Sequence, residues 1–277
     1  MSNAETAPKL VKKHFDEAAP YWKDVYSQDT LDGAMYRQRR DGVLGYVDSL
    51  QLPVGALALE VGCGAGLTSI GLARLGFQVN AVDAVPEMVR MTQEAARAQG
   101  VPIQVMVGDV QALEFPPSIF DLAVAVGVME WMPSPENPLR ELNRVLKNGG
   151  HLVTNVDNAW ALHCVVDPRM SAAVAGVKRF GRRLAVRLGF ISAKARPSRS
   201  SRAKFDAAIR RAGFVKVASS TGGFGPFTVL GLRLLPERLA VRLHHRLQNL
   251  ADGGAPIIRN GGETYLVLAR KEGEQRV

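Results

Sequence analysis

A glycine-rich turn decides what this chain can fold into. An apolar segment from residue 56 runs into Leu59-Glu60-Val61-Gly62-Cys63-Gly64-Ala65-Gly66, a helical stretch follows, and a second apolar segment ends on Val82-Asp83. Strand, turn, helix and strand in that order make a parallel βαβ unit, and the carboxyl ends of such strands open onto one crevice. Gly62, Gly64 and Gly66 let the backbone turn sharply and leave no Cβ between the main chain and a ligand over the helix start. The spacing is G-x-G-x-G, with Glu60 two residues before the first glycine. A dinucleotide site has G-x-G-x-x-G, so a nicotinamide reading is weakened. A carboxylate at the end of the second strand, Asp83, can accept hydrogen bonds from both hydroxyls of a ribose. The combination reads as a nucleoside pocket.

The rest of the chain alternates in the same manner. Strands are expected at 56–61, 78–82, 103–107, 121–126 and 151–155, with helices near 67–75, 86–99 and 137–147 between them. A helix from Ser201 to Ala212 stops at Gly213 and feeds a strand at 214–218, and residues 264–269 form the last strand. The expected fold is α/β: a Rossmann-like, seven-stranded, mostly parallel sheet with helices on both faces. An N-terminal helical lid and two helical cap inserts are added to it. A single domain over 1–277 divides into a lid (8–50), a cofactor-binding core (51–156), a basic cap insert (157–200), core (201–220), an apolar lid insert (221–262) and a last strand with tail (263–277).

Four segments resemble the class I S-adenosylmethionine (SAM)-dependent methyltransferases, over about two hundred residues. They are LEVGCGAG at 59–66, Val82-Asp83 leading into Ala84-Val85-Pro86-Glu87-Met88, Val107-Gly108-Asp109-Val110, and the run from Phe120 through Glu130-Trp131 to Gly149-Gly150 and Val153. The resemblance implies SAM as cofactor and assigns Glu60 to the methionine ammonium. It sets Gly62, Cys63, Gly64 and Gly66 under the cofactor, Asp83 and the adjoining Ala84 at the ribose, Asp109 and Val110 at the adenine, and Val126 at the methionine portion. Many small-molecule members have Glu-His where this chain has Glu130-Trp131, so a histidine base at that position is excluded. No Pro-Pro-Tyr motif of nucleic-acid amino methylation follows the fourth strand.

Composition and charge limit the alternatives. The chain has 277 residues, 47% hydrophobic and 22% charged, enough for one α/β domain with added elements. Cys63 and Cys164 are the only cysteines, so neither a disulfide framework nor a zinc cluster is suggested. The N-terminus has no signal-peptide pattern and no apolar run approaches a membrane span, so the expected setting is the cytoplasm. Net charge is +9, yet residues 171–211 alone carry twelve Lys or Arg against Asp206, a local +11 that leaves −2 for the remainder. In 171–190, Val174, Val177, Phe180, Leu184 and Leu188 share one side of a helical wheel and Lys178, Arg179, Arg182, Arg183 and Arg187 the other. That pattern fits a cap helix with a solvated basic face, and alternatively peripheral contact with an anionic membrane, an acidic acceptor or, least well, nucleic acid. In the second insert, Leu239, Leu243, Leu247 and Leu250 are expected to form an apolar face, with His244 and His245 solvated. Phe224 and Phe227 are expected to wall an acceptor cavity, with plain core as the alternative.

Methyl transfer gains most from alignment and water exclusion, and the remaining question is which group takes the acceptor's proton. Glu130 is the first candidate base because it follows the fourth strand at the crevice, and its alternative role is structural. His14 and Tyr21 on the lid come second. His163 in the cap is placed to reach an acceptor, and Trp131 to stack on a planar one or fill the site. No Cys or His pair has metal-ligand spacing, so no metal is expected. The leading expectation is a SAM-dependent methyltransferase for a small amphipathic metabolite, with oxygen as the favoured atom and nitrogen or carbon of a lipid-linked or phosphorylated molecule as alternatives. RNA methylation and a non-catalytic cofactor-binding scaffold remain as further alternatives.

Overall fold

The computed structural model describes residues 3–167, 169, 176 and 195–273. The amphipathic pattern at 171–190 lies outside the described residues. Three helices precede the sheet: α1 (Asn3–Glu17), α2 (Ala19–Asp24) and α3 (Leu31–Ser49). Thr30 caps α3, its side chain accepting from the Gly33 N–H at 3.2 Å. The βα alternation then runs β1 (Leu57–Val61), α4 (Leu67–Arg74), β2 (Gln78–Asp83), α5 (Pro86–Ala98), β3 (Ile103–Val107), β4 (Phe120–Ala125), α6 (Glu136–Val145) and β5 (Leu146–Asn158). After α7 (Leu162–Val166) come β6 (Arg199–Ser200), α8 (Arg202–Arg211) and β7 (Phe214–Gly222). A hairpin of β8 (Thr228–Val229) and β9 (Leu232–Arg233), α9 (Glu237–Asp252) and β10 (Thr264–Lys271) complete the chain.

Seven strands lie in the order β3-β2-β1-β4-β5-β10-β7, the first five parallel and β10 antiparallel to both neighbours. The expected seven-stranded plan is present with one addition, the two-residue β6, which pairs parallel with the end of β5. It arises where Asp157 and Asn158 prolong β5 past the length expected from the apolar run. Sequence order reverses between β1 and β4, so the crevice of an open sheet falls at their carboxyl ends.

Alternation along the strands divides the core into two faces. Leu59, Val61, Ala123, Ala125 and Leu152 pack with Leu139, Leu142 and Val145 of α6 and Phe205 and Ile209 of α8. On the other face Ala58, Leu122, Val124 and Val153 meet Val43 and Val47 of α3 and Leu72 of α4. Glu60 alternates with Ala58 and therefore points toward the α3 and α4 side, a carboxyl in a central strand. A third cluster joins Phe15, Ala19 and Trp22 of the N-terminal helices to Val85, Met88 and Met91, which seats the lid on α5.

The second insert departs from expectation. The buried face of α9 is Ala240, His244, Gln248 and Ala251, whereas Leu239 and Leu250 are exposed at 47% and 49%. His244 is fully buried because its Nδ1 accepts the Phe224 N–H at 3.1 Å, and burial pushes its pKa down to about 4. The backbone of the incoming loop needs an acceptor there, and the leucines cannot supply one. The helix docks on α3, where Glu237 Oε1 accepts the Leu31 N–H at 2.6 Å. Leu142, with no exposed surface, sits where α6 meets the sheet. Leu142→Ala is expected to cost about 2–5 kcal/mol, read as a lower urea midpoint at unchanged m.

Candidate active site

A cavity of about 540 Å³ opens at the reversal of strand order, within the range of roughly 300–1,000 Å³ usual for small-molecule sites. One end is built from the glycine turn and the strand ends beside it. Glu60, Gly62, Cys63, Gly64, Asp83, Ala84, Asp109, Val110 and Val126 all line it. Of the expected cofactor residues only Gly66 does not. Its φ of 81° starts α4, and an added Cβ would lie 2.9 Å from the Thr92 side chain, so this glycine is a packing requirement. Gly62 is held equally closely, since a Cβ would meet Val128 at 2.4 Å. Gly64 differs, with φ of 54° and nothing within 4 Å of a would-be Cβ. Space lies open above it for a ligand.

Asp83 shapes this end. One carboxylate oxygen accepts the Gly64 N–H at 3.0 Å and the other the Val85 N–H at 2.9 Å. A carboxylate offers about four acceptor positions, so each oxygen keeps capacity for a hydroxyl. Asp109 Oδ1 accepts the Gln111 N–H at 2.9 Å, fixing the loop that brings Val110 into the wall. Glu60 is 4% exposed, bonded by the Ser69 hydroxyl, and burial raises its pKa to about 8. A buried carboxyl without a cation beside it fits a site that receives one. Cys63 is buried, and desolvation raises its thiol pKa well above normal, so it is a packing residue.

The other end is aromatic and charged. His14 stacks on Trp131 with ring centroids 5.1 Å apart, and Phe15 meets the same indole edge-on at 4.9 Å, so α1 closes over the turn Met129–Trp131. The Tyr21 hydroxyl donates to Asp32 at 3.3 Å, and its pKa, raised by desolvation and then by Asp32, is about 12. Glu130 is 4% exposed, with Oε2 lacking a hydrogen-bond partner among the described residues, and desolvation followed by the Asp157 charge lifts its pKa to about 8.

Several lining residues were not visible as site residues in the sequence: Arg39 and Tyr36 from α3, Asp157 at the end of β5, Arg199 of β6, and Glu263. Arg39 lies with its guanidinium 4.9 Å from the Tyr36 ring centre. Arg199 bonds Glu263 at 3.1 Å and His163 at 2.9 Å. His163 therefore stands behind Arg199 and does not line the cavity, contrary to its expected reach toward an acceptor. Phe224 and Phe227 are likewise absent from the wall, because α9 carries that loop onto α3. The first insert does reach the cavity, through Pro197 and Arg199 at its end.

A family profile described as a methyltransferase domain matches residues 59–154, which contain the glycine turn, Asp83, Asp109 and Glu130. Over that stretch the chain is similar to methyltransferases. Among curated proteins, ubiquinone biosynthesis O-methyltransferase of Xanthomonas axonopodis pv. citri is 36% identical over 116 residues, which are 42% of this chain and 48% of that protein. The protein of the same name from Xanthomonas oryzae pv. oryzae is 35% identical over the same length. The chain thus spans about half the length of the curated relatives it matches. Among solved structures, magnesium protoporphyrin IX methyltransferase of Synechocystis PCC 6803 with bound SAM superposes with TM-score 0.63 at 16% identity, covering 98% of this chain and 100% of that one. The [4+2]-cyclase SpnF superposes with TM-score 0.62 at 18% identity, covering 95% of each chain. These likenesses are of fold. Among the described residues there is no cluster able to hold a metal ion and no helix long and apolar enough to cross a membrane.

The raised carboxyls of the cavity have a measurable consequence. Glu60 and Glu130 titrate near 8 when folded and near 4.5 when unfolded. Between those values the folded chain holds more protons, so stability falls as pH rises from about 5 to 8. Urea midpoints of the ligand-free protein are expected to follow that slope, and Glu60→Gln with Glu130→Gln is expected to flatten it. A rising midpoint over this range would contradict the assignment.

Proposed function

We propose that the protein transfers the methyl group of SAM to an oxygen atom of a small amphipathic acceptor. The observation that carries this reading is one cavity with two chemically different ends, a nucleoside-shaped end at Gly62–Gly64, Asp83 and Asp109 and a charged aromatic end at Glu130 and Trp131. The open space above Gly64 and the uncompensated Glu60 fit the cofactor. Asp109 and Val110 would hold the adenine, Asp83 the ribose, and Glu60 the ammonium. Arg39, whose guanidinium approaches Gly127, would take the carboxylate. When bound, the sulfonium supplies an activated methyl group for in-line displacement.

The chain's own residues then align and enclose. The Gly127 N–H donates to Asn155 Oδ1 at 2.7 Å, which fixes the wall beside Val126. His14, Phe15 and Trp131 exclude water from the acceptor end, and alignment without competing water is the main need of this reaction. Glu130 is the favoured group for the acceptor's proton. Tyr21 keeps its own proton and serves as a donor, while His14 serves in closure. An oxygen acceptor agrees with the names of the curated relatives, which are O-methyltransferases.

Calorimetry is expected to detect binding of SAM and S-adenosylhomocysteine, with Asp83→Ala weakening both by about 10- to 100-fold, the loss of a charge-assisted hydrogen bond. Labelled SAM with fractionated host extract is expected to yield a labelled small molecule. Absence of binding at high micromolar concentration would remove the proposal. Peripheral contact with an anionic membrane through 171–190 rests on the sequence pattern alone. It requires the protein to float with anionic liposomes at low salt, and failure to do so removes it.

A further inference from the structure

Five charged side chains meet at the acceptor end of the cavity. Glu130 follows β4, Asp157 ends β5, Glu263 precedes β10, Arg39 comes from α3 and Arg199 from β6. Register brings three of them together, since Asp157 pairs with Arg199 across β5 and β6 and with Thr264, the neighbour of Glu263, across β5 and β10. Arg199 is committed to Glu263 at 3.1 Å, with His163 and Cys164 behind it. Glu130 and Asp157 have the Arg39 guanidinium in common, and Arg199 bears on Asp157 as well. Glu130 Oε2 is buried without a hydrogen-bond partner among the described residues. Two desolvated carboxyls that share one cation are most cheaply neutralised by one proton held between them.

We propose that Glu130 and Asp157 act as one proton-sharing pair that takes the proton of an acceptor hydroxyl as the methyl group leaves sulfur. This rests on the methyltransferase reading. In the balanced step the acceptor oxygen forms a bond to the methyl carbon, the carbon–sulfur bond breaks with its electron pair going to sulfur, and the hydroxyl proton passes to the pair. The charge change is what makes the pair suitable. While a positive sulfur is present it favours the ionised pair, and when that charge disappears the pair regains its preference for a proton. Base strength is therefore lowest while the sulfonium is intact and rises as the methyl group leaves.

Groups facing the pair from each packed element are Arg39 and Tyr36 of α3, Tyr26 beside Arg39, Asp32 near Glu263, Arg199 of β6, Glu263 before β10, and Asn155 of β5. Of these the arginines hold the pair's proton affinity down, while Asp157 and Asp32 raise that of Glu263 beside it. Burial keeps the total above the ordinary carboxyl range, as the direction for both Glu130 and Asp157 agrees.

The test needs no acceptor. Calorimetry near pH 7 in buffers of different ionisation enthalpy counts the protons exchanged when SAM and S-adenosylhomocysteine bind. Both ligands carry the same ammonium and ribose, so any proton from Glu60 cancels in the difference, which isolates the charge at sulfur. SAM is expected to release more protons than S-adenosylhomocysteine. Glu130→Gln and Asp157→Asn are each expected to bring the difference near zero while S-adenosylhomocysteine affinity stays within about threefold. Glu130→Asp, which keeps a carboxyl, is expected to retain a difference. Equal proton counts in the wild-type protein, or a difference that survives both amide substitutions, overturns the pair. Failure of both nucleosides to bind overturns the methyltransferase reading beneath it.

Discussion

The carboxylate of Asp83 ties the two turns on which the site depends. By accepting from Gly64 and Val85 with separate oxygens, it fixes the glycine turn after β1 to the start of α5 after β2. The turn in turn sets where the cavity opens, because Gly62 is held between Val82, whose carbonyl accepts its N–H at 2.7 Å, and the Val128 side chain. A positive φ at Gly64 costs least for a residue without Cβ, and that backbone conformation aims its N–H at Asp83. One charged side chain thus organises backbone from two crossovers, and everything that lines the nucleoside end follows.

The end proposed for the acceptor is organised differently, by desolvated charge. Three carboxyls and two guanidiniums meet beneath an aromatic cover of His14, Phe15 and Trp131. Such a cluster is costly to bury and is better placed to discriminate protonation states than to stabilise the fold. Its members come from α3, β5, β6 and the approach to β10, so the N-terminal helices and the end of the first insert are structural parts of the site. The second insert braces α3 from outside.

Sequence reading succeeded where local pattern and topology coincide. Alternating apolar runs gave the parallel strands, and the expected cofactor residues other than Gly66 fall on one cavity because they sit at the strand ends around one turn. It failed where partners are distant in sequence. Asp157 and Glu263 meet only because β10 returns antiparallel to β5, and nothing local marks either as a site residue. Arg39 lies on a helix whose other face is core, and nothing local sets it apart from Arg37 and Arg40 beside it. The inversion of α9 has the same origin: His244 is buried by the need of the Phe224 N–H for an acceptor, a requirement set twenty residues away. Gly66 was grouped with its neighbours by motif, although Thr92 packing is what requires it.

The proposed nucleoside end and proton-accepting end require a ligand to lie along the cavity in one direction. A crystal structure with S-adenosylhomocysteine measures that direction. The expected result is adenine between Asp109 and Val110, ribose hydroxyls on Asp83, ammonium on Glu60, and sulfur turned toward Glu130 and Asp157. A ligand bound outside the cavity, or one whose sulfur faces away from those two carboxyls, would contradict it.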